Sequence, residues 1–115
     1  MRKKYKRNKK TQKKILQEII NDLKSYQPEK IILFGSIAKG KFNSQSDFDL
    51  IVIKKTKTPF LQRLKEVNLL IKGNYPLDIL VYTPKEFQEL LKDKSNSFFR
   101  SIKKSSKVIY EKPKV

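Results

Sequence analysis

Three aspartates occur within apolar runs that otherwise have the composition of buried β-strands. Asp47 and Asp49 lie in the run DFDLIVI, and Asp78 lies in the run PLDILVY. Side chains alternate along a strand, so Asp47 and Asp49 are predicted to point to one face and Phe48 to the other. A buried carboxylate without a partner is costly or takes up a proton. Two carboxylates at i and i+2, with a third from a neighbouring strand, can instead bind a hard divalent cation such as Mg²⁺ through oxygen ligands.

Each aspartate also has a structural interpretation. Asp47 can cap the start of a strand next to Ser46, and Asp78 can be exposed if its strand lies near the edge of the sheet. A structural role is harder to assign to Asp49, which is set between two apolar residues. The three aspartates together, with the Gly-Ser turn that precedes them, favour a functional site.

A Gly-Ser pair, Gly35 and Ser36, follows the apolar run KIILF and precedes the first two aspartates. Glycine at a strand-to-helix turn lets backbone N–H groups approach an anion, and the following helical turn presents its positive end. The Ser36 hydroxyl can donate a hydrogen bond to a phosphate oxygen. A Gly-Ser pair alone is common in turns. The spacing G-x(6)-D-x-D, which links Gly40 to Asp47 and Asp49, makes the pattern more specific.

The residue types that the chain lacks exclude several kinds of catalysis. The 115 residues include no cysteine and no histidine. Disulfides, thiolate metal sites, histidine-ligated zinc and nucleophilic catalysis with a histidine base are therefore excluded. Any chemistry must use carboxylates, lysines, hydroxyl groups or an added metal ion.

The elements that position these residues follow from apolar periodicity and turn residues. A helix is predicted over about residues 11–26, and a second helix has Pro59 near its start and Gly73 as its stop. Thr83 and Glu86 are placed to form a capping box at the start of a third helix, which runs through Leu91. The other predicted elements are strands at 30–35, 47–53 and 76–82, one helical turn at 36–40, a polar loop at 41–46, a short helix around 98–102 and an extended segment at 108–110. Helices alternating with three apolar strands predict an α/β or α+β domain in which helices cover a small sheet.

The charge of the chain is concentrated at its start. Residues 1–14 hold nine of the 28 lysines and arginines and no acidic residue, and the net charge is +17. We therefore predict a flexible basic arm over residues 1–14 and one folded domain over residues 15–115. The arm can make weak contact with nucleic acid through counterion release, or it can be only a solvated, lysine-rich surface. No apolar run is long enough to span a bilayer, so a cytoplasmic protein without membrane contact is expected.

The patterns GSIAKG and SDFDL, followed by Asp78, resemble the signature of the nucleotidyltransferase superfamily that includes DNA polymerase β. That signature is a strand ending in Gly-Ser, an Asp-x-Asp on the next strand and a third Asp on a later strand. The chain resembles in particular the minimal nucleotidyltransferases, over roughly residues 15–110. The resemblance implies the nucleotidyltransferase fold, a small mixed β-sheet packed with helices. It also implies transfer of a nucleoside monophosphate, foremost AMP from ATP, to a hydroxyl group.

The resemblance also implies roles for individual residues. Asp47, Asp49 and Asp78 would be the catalytic residues and would bind two Mg²⁺ ions, for which Mn²⁺ can substitute. Asp78 would in addition help to activate the acceptor hydroxyl. Two metal ions can stabilise both the attacking and the leaving oxygen of an in-line displacement without any histidine.

The implied nucleotide-binding residues are Gly35, Ser36, Lys39 and Lys41. Members of the superfamily often carry an arginine directly after the Gly-Ser pair, whereas this chain has Ile37 at that position. Lys39 and Lys41 can supply charge there, but a lysine lacks the bidentate geometry of an arginine.

The resemblance further implies a protein partner. Minimal nucleotidyltransferases commonly pair with a small helical protein of the HEPN type that resembles an RNase toxin, and neutralise it by binding or by adding AMP to a tyrosine. A domain of this size has no separate acceptor-binding domain, so a partner chain or a second copy would present the acceptor. The alternatives are a non-catalytic module that neutralises its partner by binding, and nucleotidyl transfer to a nucleic-acid or small-molecule acceptor.

Overall fold

The fold is one mixed β-sheet with helices on both faces. The computed structural model describes residues 9–40 and 47–113. In chain order the elements are α1 (Lys9–Leu23), a 3₁₀ turn (Lys24–Tyr26), β1 (Lys30–Phe34), α2 (Gly35–Ala38), β2 (Phe48–Ile53), α3 (Phe60–Leu70), β3 (Leu77–Tyr82), α4 (Pro84–Lys92), α5 (Ser97–Ser105) and β4 (Lys107–Glu111). The polar loop predicted at 41–46 and residues 1–8 of the predicted arm lie outside the described residues.

The four described strands are arranged in the order β3-β2-β1-β4. β1 lies between β2 and β4 and is antiparallel to both. β2 and β3 are parallel, and the chain passes between them through α3. β3 and β4 therefore form the two edges of the sheet, and β1 and β2 form its centre.

Alternation along the strands separates two apolar clusters, one on each face. On one face Leu50 and Val52 of β2 pack with residues of α1, α2 and α3. On the other face Ile51 and Ile53 of β2 pack with Phe99 and residues of α4 and α5. Every second residue of a strand faces the same way, so both faces of the central strands must be apolar. This explains why the strands read as nearly continuous apolar runs.

Arg63 of α3 is buried, and it connects α3 to α4. Its guanidinium donates to the Glu86 carboxylate at 2.7 Å, to the Thr58 carbonyl at 2.7 Å and to the Val81 carbonyl at 3.3 Å. Glu86 also completes the predicted capping box, because the Thr83 hydroxyl accepts from the Glu86 N–H while the Glu86 carboxylate accepts from the Thr83 N–H. The hydrogen bond from Arg63 and that from the Thr83 backbone lower the pKa of Glu86 below its ordinary value.

The main secondary-structure predictions are confirmed, and two differ from the structure. The segment predicted only as extended at 108–110 is a fourth strand, because its backbone pairs with β1. α1 begins at Lys9, so residues 9–14 of the predicted basic arm are helical, and Gln12 is buried. No helix among the described residues is both long enough and apolar enough to cross a bilayer.

Candidate active site

Two of the three predicted aspartates lie side by side in the parallel pair of strands. Asp49 of β2 and Asp78 of β3 are register partners. Ile51 and Leu80, each two residues further along, belong to the apolar cluster under α4 and α5. By alternation, Asp49 and Asp78 face the same side of the sheet as those two residues. Asp78 is thus a carboxylate from the neighbouring strand, as the metal-site hypothesis requires, and the assignment of all three aspartates to one site stays a prediction.

The degree of burial differs from what the sequence indicated. Asp49 is partly buried, but Asp47 and Asp78 are exposed. Burial is therefore not observed for Asp47 and Asp78, and their exposure agrees with the structural interpretations of these two residues, a strand start and an edge strand. Asp47 lies one residue before β2 begins, and Asp78 lies on the edge strand β3, whose side chains have no neighbouring strand on one side.

Burial raises the pKa of the Asp49 carboxyl, and the nearby carboxylates of Asp78 and Asp47 raise it further. All three causes act in the same direction, so no cation among the described residues offsets the negative charge at this point. Proximity of like charges is unfavourable unless a cation is bound between them. The electrostatics therefore favour a positively charged ligand at these aspartates.

Gly35 lies directly against Asp49. Gly35 has a φ of +81°, which favours glycine, and it follows Phe34, the register partner of Asp49. A Cβ at position 35 would lie 3.3 Å from the Asp49 Cγ and would overlap its Oδ2. The Gly-Ser turn and the aspartates thus form one continuous site, and only glycine fits between them.

The helical turn predicted after Gly35 is present as α2. It packs through Ile37, which is 7% exposed and belongs to the core cluster shared with α1. The position where the resemblance leads one to expect arginine is therefore a core position in this chain. Lys39, directly after α2, is exposed, whereas Lys41 lies outside the described residues.

Basic residues of α5 contribute a feature that sequence reasoning missed. A cleft of about 440 Å³ is lined by Lys39 and by one face of α5, namely Ser97, Arg100, Ser101, Lys104 and Ser105. These α5 residues recur at spacings of three and four, which places them on one side of the helix. That spacing was visible in the sequence, but nothing in the sequence placed this side of α5 next to Lys39.

The fit of the aspartates to a metal ion rests on their chemistry and electrostatics. Carboxylate oxygens are the ligands that Mg²⁺ and Mn²⁺ prefer, and the raised pKa of Asp49 marks uncompensated negative charge. Within residues 9–40 and 47–113, no three Asp or Glu side chains are arranged closely enough to hold a metal ion as they stand. The residue types fit a divalent cation, and binding by all three aspartates stays a prediction.

Comparison with known proteins decides the family. The family described as polymerase beta nucleotidyltransferase matches residues 17–115. The chain belongs to this nucleotidyltransferase family. A curated relative from Methanocaldococcus jannaschii, provisionally named a protein adenylyltransferase, is 32% identical over 103 residues. That alignment covers 86% of this chain and 98% of the relative.

Solved structures share the fold of this nucleotidyltransferase. A provisionally named nucleotidyltransferase from Sulfolobus solfataricus superposes with a TM-score of 0.62 at 21% identity, covering 86% of this chain and 79% of the other. A structure described as a toxin–antitoxin with AMP-PNP superposes with a TM-score of 0.53 at 18% identity, covering 84% and 73%. At these identities the structures show the fold. The predicted fold class, a small mixed sheet packed with helices, is confirmed for the nucleotidyltransferase.

Proposed function

We propose that this nucleotidyltransferase transfers AMP from ATP to a tyrosine hydroxyl of a HEPN-type toxin partner, and so acts as an antitoxin. The observation that carries the proposal is the pairing of Asp49 with Asp78 on one face of the sheet, with Gly35 packed against Asp49. This arrangement brings a turn suited to anions next to a group of carboxylates for which the described part of the chain supplies no cation. A nucleoside triphosphate with a bound divalent cation would offer phosphate oxygens to the Gly-Ser turn and positive charge to the carboxylates.

The proposed reaction is a displacement at the α-phosphorus. The acceptor oxygen forms a bond to the α-phosphorus, the bond from that phosphorus to the bridging oxygen of the β-phosphate breaks, and pyrophosphate leaves. The acceptor proton passes to a carboxylate, for which Asp78 is placed because it is exposed at the edge strand. Gly35 and Ser36 would orient the phosphates, and Lys39 and Lys41 would add positive charge near them.

Members of this superfamily generally use divalent metal ions, and Asp47, Asp49 and Asp78 are the residues that would hold Mg²⁺ here. A bound ion would neutralise charge on the phosphate oxygens during transfer. The residues of the chain would position the ion: Gly35 leaves room for the Asp49 carboxylate directly beside the Gly-Ser turn.

The partner proposal rests on the two relatives with informative names and on the exposure of the site. One relative is named for protein adenylylation, and one neighbour of the same fold is described as a toxin–antitoxin with AMP-PNP. Asp47 and Asp78 are exposed, so a protein acceptor can reach them. The chain would then recognise ATP through its own residues and receive the acceptor tyrosine from the partner.

Label transfer from α-³²P-ATP tests the proposal. The full chain is incubated with a HEPN-type partner and Mg²⁺, and we expect the label on a partner tyrosine, identified by mass spectrometry and lost in the corresponding Tyr→Phe partner. Asp49→Asn should abolish transfer. Glu89→Gln removes one negative charge from an exposed position on α4 and should leave transfer intact, which makes it the matched control.

Three outcomes would contradict the proposal in different ways. If no nucleoside triphosphate labels the partner while the two proteins still bind, the chain is a non-catalytic module. If label appears on nucleic acid or on a small molecule instead, the transfer is real but the acceptor class is wrong. If Asp49→Asn transfers AMP as fast as the unmodified chain, the aspartate site is not where the chemistry occurs.

A further inference from the structure

The basic cleft between Lys39 and α5 adjoins the proposed nucleotide site. Phe98 of α5 packs edge-to-face against Phe34, with ring centroids 5.4 Å apart, and Phe34 directly precedes Gly35. Lys39 follows α2, the helical turn that starts at Gly35. α5 covers the same face of the sheet to which Asp49 points. α5 therefore packs on the face of the sheet that carries Asp49, and the cleft adjoins residues on both sides of Gly35 in the chain, Phe34 through Phe98 and Lys39 directly.

The cleft has the chemistry of a phosphate site. Its lining carries three cationic side chains, Lys39, Arg100 and Lys104, and three serine hydroxyls. Among the described residues, none of the three cations forms an ion pair. The Arg100 guanidinium donates to the Lys94 carbonyl at 2.5 Å, which anchors the side chain but leaves its charge uncompensated. Guanidinium, ammonium and hydroxyl groups in one cleft are donors that suit phosphate oxygens.

The Gly-Ser turn itself cannot supply this charge. α2 has the sequence GSIA, which contains no basic residue, and Ile37 is buried in the core. A triphosphate carries most of its negative charge on the β- and γ-phosphates, which leave together as pyrophosphate. Apart from a bound divalent cation, positive charge for the β- and γ-phosphates must therefore come from side chains outside α2. Lys39, which directly follows α2, and α5, which contacts α2, present such groups.

We propose that the Lys39–α5 cleft binds the β- and γ-phosphates of the nucleoside triphosphate and holds the pyrophosphate leaving group. The proposal rests on the proposed nucleotidyltransferase function and assigns Arg100 and Lys104 as substrate-binding residues. A nucleic-acid phosphate backbone would use the same donors, and its binding is one outcome of the test below.

The test compares ligands that differ only in phosphate number. Binding of ATP, AMP and inorganic tripolyphosphate in the presence of Mg²⁺ is measured by titration calorimetry for the full chain and for Arg100→Gln/Lys104→Gln. Losing charge-assisted hydrogen bonds should weaken ATP and tripolyphosphate binding by about tenfold to a hundredfold. AMP binding should stay unchanged, since AMP ends at its α-phosphate.

Lys103 provides the matched control. It is an exposed lysine on the same helix, next to Lys104, but it does not line the cleft. Lys103→Gln changes the net charge of α5 without touching the proposed site, so ATP binding should not change. Circular dichroism confirms that each variant is folded.

The outcomes separate the cleft proposal from the proposed function. Loss of tripolyphosphate binding in the double variant supports the cleft even if the chain transfers no AMP. Unchanged ATP and tripolyphosphate binding in the double variant would overturn it, as would an equal loss with Lys103→Gln. An equal loss of AMP binding would show that the cleft does not select the β- and γ-phosphates. Weaker binding of a short single-stranded RNA with unchanged ATP binding would make the cleft a nucleic-acid site instead.

Discussion

Replacing Gly35 with alanine tests the close approach between the Gly-Ser turn and Asp49, and Gly40 offers a matched control. Both glycines have positive φ angles, +81° at Gly35 and +75° at Gly40. An alanine at either position meets the same kind of backbone strain, about 1–2 kcal/mol. The surroundings differ, because a Cβ at position 35 would overlap the Asp49 carboxylate, whereas a Cβ at position 40 would have no atom within 4 Å.

The difference between the two variants isolates the contact with Asp49. In Gly35→Ala the Asp49 carboxylate must rotate away, and an off-rotamer side chain costs about 0.5–1.5 kcal/mol. We therefore expect Gly35→Ala to be less stable than Gly40→Ala by about 1 kcal/mol. In an Asp49→Ala background the remaining neighbour of the new methyl group is the Cβ of residue 49 at 3.5 Å, an ordinary contact. The extra destabilisation should then disappear.

Urea denaturation followed by circular dichroism measures the four free energies of unfolding needed for this double-mutant cycle. AMP transfer gives a second measurement: a displacement of the carboxylate by about 1 Å can lower a rate by about a hundredfold. Gly35→Ala should lose activity on that scale, and Gly40→Ala should lose much less. The reasoning is refuted if Gly35→Ala destabilises the chain by the same amount with and without the Asp49 carboxylate.

Three further predictions concern the elements around the site. The pKa of Glu86 is lower in the folded chain than its ordinary value of 4.5. The ionised Glu86 carboxylate therefore stabilises the folded chain above pH 4.5, and this stabilisation is lost as the pH falls through the folded-state pKa. In acid denaturation, Glu86→Gln should make the free energy of unfolding less dependent on pH. An unchanged pH dependence would contradict this role of Glu86. Arg63→Met should lower the free energy of unfolding by about 2 kcal/mol, because the Val81 carbonyl and Glu86 lose a hydrogen-bond donor. Urea denaturation measures this loss. A change near zero would show that the ion pair between Arg63 and Glu86 does not stabilise the chain. Asn96→Ala should destabilise α5 by about 1 kcal/mol, since the Asn96 side chain accepts from two backbone N–H groups of the first turn. Asn96→Asp should retain most of that stability in thermal denaturation, and equal losses in both variants would rule out a capping role.

The position of Ile37 in the core explains why this chain has no arginine directly after the Gly-Ser pair, where members of the superfamily often carry one. Ile37 is 7% exposed and packs in the cluster that joins the sheet to α1. A charged side chain pointing into that cluster would be unfavourable unless paired. In the cleft proposal, positive charge for the substrate comes instead from exposed positions, Lys39 and α5, where the charges stay hydrated in the absence of a ligand.

Much of the local structure could be predicted from the sequence. Strands β1 to β3 follow from apolar runs, and the start of α4 follows from Thr83 and Glu86, because a capping box involves only residues three positions apart. The pairing of Asp49 with Asp78 could not be predicted from alternation alone, because it requires β2 and β3 to be parallel neighbours in this register. The exposure of Asp78 could be stated only as an alternative, since it depends on which strand lies at the edge of the sheet.

The pattern of Gly35, Ser36 and the three aspartates is present in the sequence alone, and the chemistry proposed for this chain rests on it. Tertiary structure alone decided that the 107–111 segment pairs with β1, that Arg63 is buried against Glu86, and that the basic side of α5 faces Lys39. The physical reason is the range of the interactions. Periodicity, caps and turns depend on neighbours along the chain, whereas strand order and the cleft depend on which distant apolar surfaces pack together, and a local pattern does not specify that choice.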